Sequence, residues 1–264
     1  MRVLVTNDDG VEAPGLHALA SAIVTAGHDV VVVAPSGERS GSGAAIGRLH
    51  RSGPIAWTAV EWPDLPGVPV HSIDAPPAAT VYAGWAGAFG PRPDVVASGV
   101  NPGLNYGHLV LHSGTVGAAL TARTLGCSAV AVSLAWGEEQ HWATAATLAA
   151  DALDWLGSRS GAPVVVNLNV PNVALEQLPG VRGAPLNPFN ERWRASTSPG
   201  ELLLEYDGHA GELEADADFA VVKSGYAAVT LLQGVAATAL HAGSPAAQAL
   251  TRALDARIAR RGVA

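Results

Sequence analysis

The chain has 264 residues, 48% of them hydrophobic and 14% charged, and a formal net charge of −8. That apolar content supports one α/β domain with a sizeable core, while 15 Lys and Arg, with no basic cluster before the short Arg257–Arg261 tail, exclude a protein that grips nucleic acid by its backbone. No apolar run reaches transmembrane length, no signal-type segment opens the chain, and the lone Cys127 excludes an intrachain disulfide and a cysteine-built zinc site, so a cytoplasmic protein without a membrane partner is expected.

Short apolar runs then alternate with helical patterns. Val3–Thr6 reads as a buried strand, and Leu16–Ala26 as a helix stopped at Gly27. Val30–Ala34 is the next strand, and a two-strand piece is expected between Ile46 and Val70. A Pro-Pro pair opens a helix over Ala75–Phe89, followed by a strand at Asp94–Ser98, a helix at Val116–Leu125 and a strand at Ser128–Leu134. A longer helix, about Glu138–Leu156, and a strand at Val164–Val170 complete the series. Near-continuous Val runs separated by helices predict a Rossmann-like, three-layer, doubly wound and mostly parallel sheet. The core is expected over about 1–171. From 172 to about 240 the Pro-, Gly- and Asn-rich stretch, with strand-like Leu202–Tyr206 and Ala227–Leu232, reads as an antiparallel appendage, and Ala246–Arg260 as a C-terminal helix.

In such sheets ligands bind at the carboxyl ends of the strands, and three polar segments fall there. Thr6-Asn7-Asp8-Asp9-Gly10 follows the first strand. Adjacent carboxylates repel and raise each other's pKa, which a hard cation such as Mg²⁺ or Mn²⁺ relieves; the competing reading is a solvated turn before a helix. Pro35–Gly43, with Arg39, Ser40 and Gly41, can bring backbone N–H groups and a hydroxyl to a phosphate or a metal, or be a flexible connection. Ser98–Gly107 offers the neutral oxygens of Asn101 and Asn105. Behind it Ser113-Gly114-Thr115 opens a helix, where free N–H groups form an anion cradle and Ser113 and Thr115 are also plain capping residues. The scattered histidines, His17, His28, His50, His71, His141, His209 and His241, read as surface or satisfied residues, and His112 as an anchor. Trp193 is a candidate for a substrate or subunit interface.

Taken together and in order, these strings resemble the SurE (stationary-phase survival protein) family. The resemblance is carried by Met1–Gly10 with Ala13-Pro14-Gly15, Val33-Ala34-Pro35 with Arg39-Ser40-Gly41, Ser98–Asn101 with Gly103, Asn105 and Gly107, and Ser113–Val116. Asn167–Pro171, Asp218-Phe219-Ala220 and Gly225-Tyr226 extend it to about residue 232. The resemblance implies one divalent metal (Mg²⁺ or Mn²⁺, with Ca²⁺ able to stand in) held by Asp8, Asp9, Ser40 and Asn101. It implies catalysis by Asp8, Asp9 and Asn101, and phosphate or substrate contacts from Asn7, Arg39, Gly41, Asn105, Ser113, Gly114 and Thr115. The implied activity is a 5′/3′-nucleotidase, in which metal-activated water attacks a nucleoside monophosphate with Asp8 as general base. An aspartyl-phosphate route is the rival. Extended hairpins imply a homodimer or homotetramer. Several positions depart from the family pattern: Ala44, Ala45, Gly47, Ala79 and Leu109 stand where polar residues are usual. They leave open a phosphatase for a sugar phosphate or biosynthetic intermediate, or a catalytically degenerate binding module.

Overall fold

The computed structural model describes residues 1–49, 53–188, 190–210 and 214–234. The compact unit Met1–Leu232 is described below. Nearly all of the second unit, Gln233–Ala264, lies outside the described residues, as do the expected C-terminal helix, His50 and His241.

In the centre stand parallel strands β1 (Arg2–Thr6), β2 (Asp29–Pro35), β4 (Val70–Ile73), β5 (Val95–Pro102), β6 (Ser128–Leu134) and β7 (Val165–Val170). β3 (Trp57–Val60) pairs antiparallel on the outside of β4. On the far side β11 (Ala227–Leu232) runs antiparallel to β7 and carries the short β8 (Val181–Gly183) beyond it. The sheet order is β3-β4-β2-β1-β5-β6-β7-β11-β8. Strand order reverses at β1, whose neighbours are β2 and β5. That junction is where an open α/β sheet leaves a crevice for a ligand.

The period-2 geometry of β1 splits the core. Val3 and Val5 face one layer with Leu16, Leu19 and Ile23 of α1 (Pro14–Thr25) and Leu153 of α4 (Trp142–Ser158). Leu4 faces the other, with Ala79 of α2 (Pro77–Trp85) and Val116, Ala119 and Ala122 of α3 (Gly114–Thr124). Helices therefore cover both faces, which accounts for strands apolar at every position rather than at alternate ones. The expected three-layer doubly wound fold is the observed one. No helix among the described residues is long and apolar enough to cross a membrane.

Some boundaries differ from the sequence reading. β5 does not end at Ser98 but runs to Pro102, with a register break against β6 between Ser98 and Asn101. The third polar segment thus begins inside a bulged strand, and such irregularities re-aim side chains. The α4 helix starts at Trp142, because residues 137–141 are tied as a loop by Asn172. Ala227–Leu232 belongs to the main sheet rather than the appendage: five of its residues pair with β7, and sheet membership is decided by a partner strand that local pattern cannot reveal. The appendage proper is the hairpin of β9 (Asn190–Ser198) and β10 (Glu201–Ala210), with α5 (Asp218–Lys223) after it. β9 escaped the sequence reading because Asn-Glu-Arg-Trp-Arg is polar and charged.

Candidate active site

The first turn after β1 is closed by Asn7. Its side-chain amide donates to the Gly10 carbonyl at 2.9 Å, and its carbonyl oxygen accepts the Gly10 N–H at 3.2 Å. Gly10 has φ +105°, a conformation that a side chain disfavours. Buried Asn7 is thus committed to shaping the turn that carries Asp8 and Asp9. In the loop after β2, the Arg39 N–H donates to the Asp8 carbonyl at 2.7 Å and fixes the second loop against the first.

Asp8 itself is 2% exposed. Its Oδ1 accepts the Thr115 hydroxyl at 2.5 Å, and the same hydroxyl lies 3.4 Å from Asn101 Oδ1. The Asn101 amide donates to the Gly103 carbonyl at 2.6 Å, which settles which end of this side chain faces Thr115. Thr115 sits in the first turn of α3, whose N-cap Ser113 accepts the Val116 N–H at 3.1 Å. A methyl group on Gly114 would lie 2.8 Å from Asp8 Cβ, Asp8 Oδ2 and the Ser42 hydroxyl alike. Only glycine lets the helix start approach the carboxylate this closely. The structure therefore brings Asp8, Asn101, Gly114 and Thr115 from three different segments into one cluster at the carboxyl end of the sheet.

Other expected residues are placed differently. Arg39 spends its guanidinium on Asp74 at 2.6 Å. Ser40 is exposed, and its backbone N–H is held by the Glu38 carboxylate at 2.7 Å. No hydrogen bond joins its hydroxyl to Asp8 among the described residues. Gly41 has φ +76° with open space around it. Asn105 lies in a buried network: its side-chain amide donates to Ser133 Oγ at 2.8 Å, and its backbone carbonyl accepts from the side chains of both Asn167 and Asn169 at 2.8 Å. It shapes the third loop from behind. Two further residues, given no site role in the sequence, matter to the arrangement. The Ser42 hydroxyl is buried without a partner. Asp218 accepts backbone N–H groups of Gly107, Asn187 and Phe219 at 2.9, 3.0 and 2.8 Å, and so pins the segment leading to Ser113. Asp218 lies in a string the family resemblance had marked; Ser42 carried no signal beyond its place between two glycines.

The electrostatics suit a bound cation. Burial pushes the Asp8 carboxyl above its usual range, against the opposing pull of Thr115. Asp9 is pushed up to about 7, first by burial, then by the charges of Asp8 and Glu38. Asp9 Oδ2 is buried with no hydrogen-bond partner. A buried, unpartnered carboxylate oxygen beside a second carboxylate costs stability unless something positive joins it. Two carboxylates together with the neutral oxygen of Asn101 would make an all-oxygen donor set, the kind that a hard divalent ion takes. Among the described residues no group of three or more His, Cys, Asp or Glu is placed to hold a metal ion, so a cation here would depend on the two carboxylates with neutral oxygens. Beside the cluster opens a cavity of about 480 Å³, walled by Arg39, Ser42, Ile46, Ile55 and Asp74 among others.

Similarity to known proteins extends over most of the chain. The family model described as Survival protein SurE matches residues 3–192. The 5′/3′-nucleotidase SurE of Serratia proteamaculans is 37% identical over 241 residues, covering 88% of this chain and 90% of that protein. The 5′-nucleotidase SurE of Geobacter metallireducens is 42% identical over 182 residues, 68% of each chain. Among solved structures, the SurE protein from Aquifex aeolicus superposes with a TM-score of 0.76 at 27% identity, covering 92% of this chain and 97% of that one. A match that takes in the paired carboxylates, the bulged β5 and the start of α3, on the same doubly wound sheet, establishes that the chain belongs to the SurE family.

Proposed function

We propose that the protein is a divalent-metal-dependent phosphomonoesterase that hydrolyses nucleoside 5′- and 3′-monophosphates. The observation that carries this reading is the adjacent pair of buried Asp8 and half-buried Asp9, one locked to Thr115 and the other with a buried, orphaned oxygen, at the N-terminus of α3. Asp8, Asp9 and Asn101 would hold Mg²⁺ or Mn²⁺, with Ser40 joining by a short movement of its exposed loop. When bound, such an ion supplies Lewis acidity toward a phosphoryl oxygen and toward water.

The chain's own groups do the rest. Thr115 fixes one oxygen of Asp8, so the other is aimed past Gly114 and can take the proton of an attacking water. The N–H groups opening α3 meet the phosphoryl oxygens, where the helix dipole favours negative charge. The Arg39–Asp74 pair borders the cavity that opens beside the cluster. Relatives named as nucleotidases support the substrate class. A reducing compartment such as the cytoplasm suits the single buried Cys127, whose thiol burial pushes up to about 12.

The test is release of phosphate from AMP and 3′-AMP with Mg²⁺, with Mn²⁺ and with EDTA. Metal-dependent release that Asp8→Asn abolishes is the expected result. Absence of metal-dependent release from every nucleoside monophosphate, with turnover of a sugar phosphate instead, would move the substrate class to the alternative that the apolar Ala44, Ala45 and Gly47 leave open.

A further inference from the structure

The loop after β6 carries an indole that the fold leaves in water. Trp136 is 75% exposed, the most exposed large hydrophobic side chain among the described residues. The chain on either side of it is nevertheless held. The preceding Ala135 N–H bonds the Val170 carbonyl at 2.9 Å, and the Gly103 N–H bonds the Leu134 carbonyl at 2.8 Å. Behind it, Asn172 donates to the Glu139 carbonyl at 2.7 Å and accepts the His141 N–H at 2.9 Å. The ring thus stands on a held loop at the carboxyl edge of the sheet, the edge that carries Asp8.

Its position relative to the site is set by Gly103. A methyl group there would lie 3.1 Å from Trp136 Nε1 and 3.7 Å from Asn101 Nδ2. The indole and Asn101 are therefore separated by one small residue. Asn101 is in turn 3.4 Å from Thr115 Oγ1, which bonds Asp8 at 2.5 Å. From carboxylate to ring the series runs Asp8, Thr115, Asn101, Gly103 and Trp136. Among the described residues, no Phe, Tyr, Trp or His lines the cavity on the Arg39 side.

We propose that Trp136 is the stacking platform for the aromatic base of the substrate, so that this enzyme selects nucleoside monophosphates over aliphatic phosphomonoesters by ring contact rather than by hydrogen bonds to base edges. An exposed indole offers a flat apolar face, and stacking tolerates every base because each has a π-face. That suits a site where Ala44, Ala45 and Gly47 provide no side-chain hydrogen bonds. Selectivity then follows ring area, with purine above pyrimidine nucleotides and little distinction between AMP and GMP. The proposal rests on the phosphomonoesterase reading above.

The experiment compares Trp136→Ala and Trp136→Phe with the unaltered protein on AMP and on ribose 5-phosphate, and measures adenosine binding to each by equilibrium dialysis without metal. For Trp136→Ala, kcat/KM on AMP should fall about ten- to hundredfold, mainly through KM. On ribose 5-phosphate it should change by less than about twofold. Trp136→Phe should recover most of the loss, and adenosine binding should follow the same order. Equal losses on the two substrates, no loss on AMP, or adenosine binding indifferent to the substitution would overturn the stacking role while leaving the phosphomonoesterase reading intact. A change in oligomeric mass that accounts for the lost activity would assign the indole to a subunit contact and overturn it too. Inactivity of the unaltered protein on both substrates would overturn the underlying activity, and the stacking role with it.

Discussion

Asp8 and Asp9 are held close by a turn that Asn7 closes, and burial makes ionising both expensive. Asp9, raised from 3.8 to about 7, binds its proton more tightly folded than unfolded. In the metal-free protein stability should therefore fall as pH rises from about 4 to 7 and level off above, since the folded state holds the extra proton across that window. Asp9→Asn removes the contribution. The variant should be more stable than the metal-free parent at pH 7.5 by about 1 kcal/mol or more, with the gain gone at pH 4. Thermal unfolding of both chains in EDTA at the two pH values measures this, and a variant less stable at pH 7.5 would show that Asp9 has a partner supplied by the chain. The same variant should lose metal binding and turnover. Gly114 gives a second residue-scale expectation. Gly114→Ala places a methyl group 2.8 Å from Asp8 Oδ2 and Ser42 Oγ. It should lower kcat by about 10²-fold through displacement of the carboxylate. Metal-dependent phosphate release and a melting curve, taken together, separate that loss from unfolding.

At the scale of elements, the site depends on where α3 begins and on what pins the segment before it. Ser113 caps the helix through Val116, and Ser113→Ala should cost about 1 kcal/mol of stability in denaturant unfolding. Asp218 does more, because it satisfies three backbone N–H groups from α5, from residue 187 and from the third loop. Asp218→Ala strands them in a buried setting and should cost about 3 kcal/mol, with activity falling as the Gly107–His112 segment loosens. These dependencies explain which parts of the molecule were legible in sequence. The β1, β2, β6 and β7 runs are short, apolar and bounded by turn residues, and α1 ends at a glycine, so local pattern suffices. Asp8, Asn101 and Thr115 were readable because each sits just beyond or beside such a run. What escaped depends on partners remote in sequence. β11 is in the main sheet only because β7 pairs with it. Asn7 and Asn105 were expected to touch phosphate, yet hydrogen bonds turn them inward, toward Gly10 and toward Ser133, Asn167 and Asn169. Trp136 shows no pattern until Gly103 is brought beside it.

Over the whole molecule, the hairpin β9–β10 stands apart as its own two-stranded sheet. Register pairs Leu202 with Thr197, Leu204 with Ala195 and Tyr206 with Trp193, so alternation puts Leu202, Leu204, Tyr206 and Trp193 on one face. Leu202 is 63% and Leu204 56% exposed. An isolated two-stranded hairpin is marginal in water, and a row of exposed leucines on it is a surface made for another chain. Closed symmetry is the usual answer, with the same face contributed by each copy. The expected homodimer or homotetramer would supply the cover. Leu202→Glu with Leu204→Glu should then shift the protein to monomer, measured by light scattering behind size-exclusion chromatography, while circular dichroism of the α/β sheet stays unchanged because neither side chain reaches the core. Like charges on facing copies repel at the position where the leucines would meet. If the double variant keeps the parent's mass, the hairpin face is not the subunit contact, and its apolar row must serve a different partner.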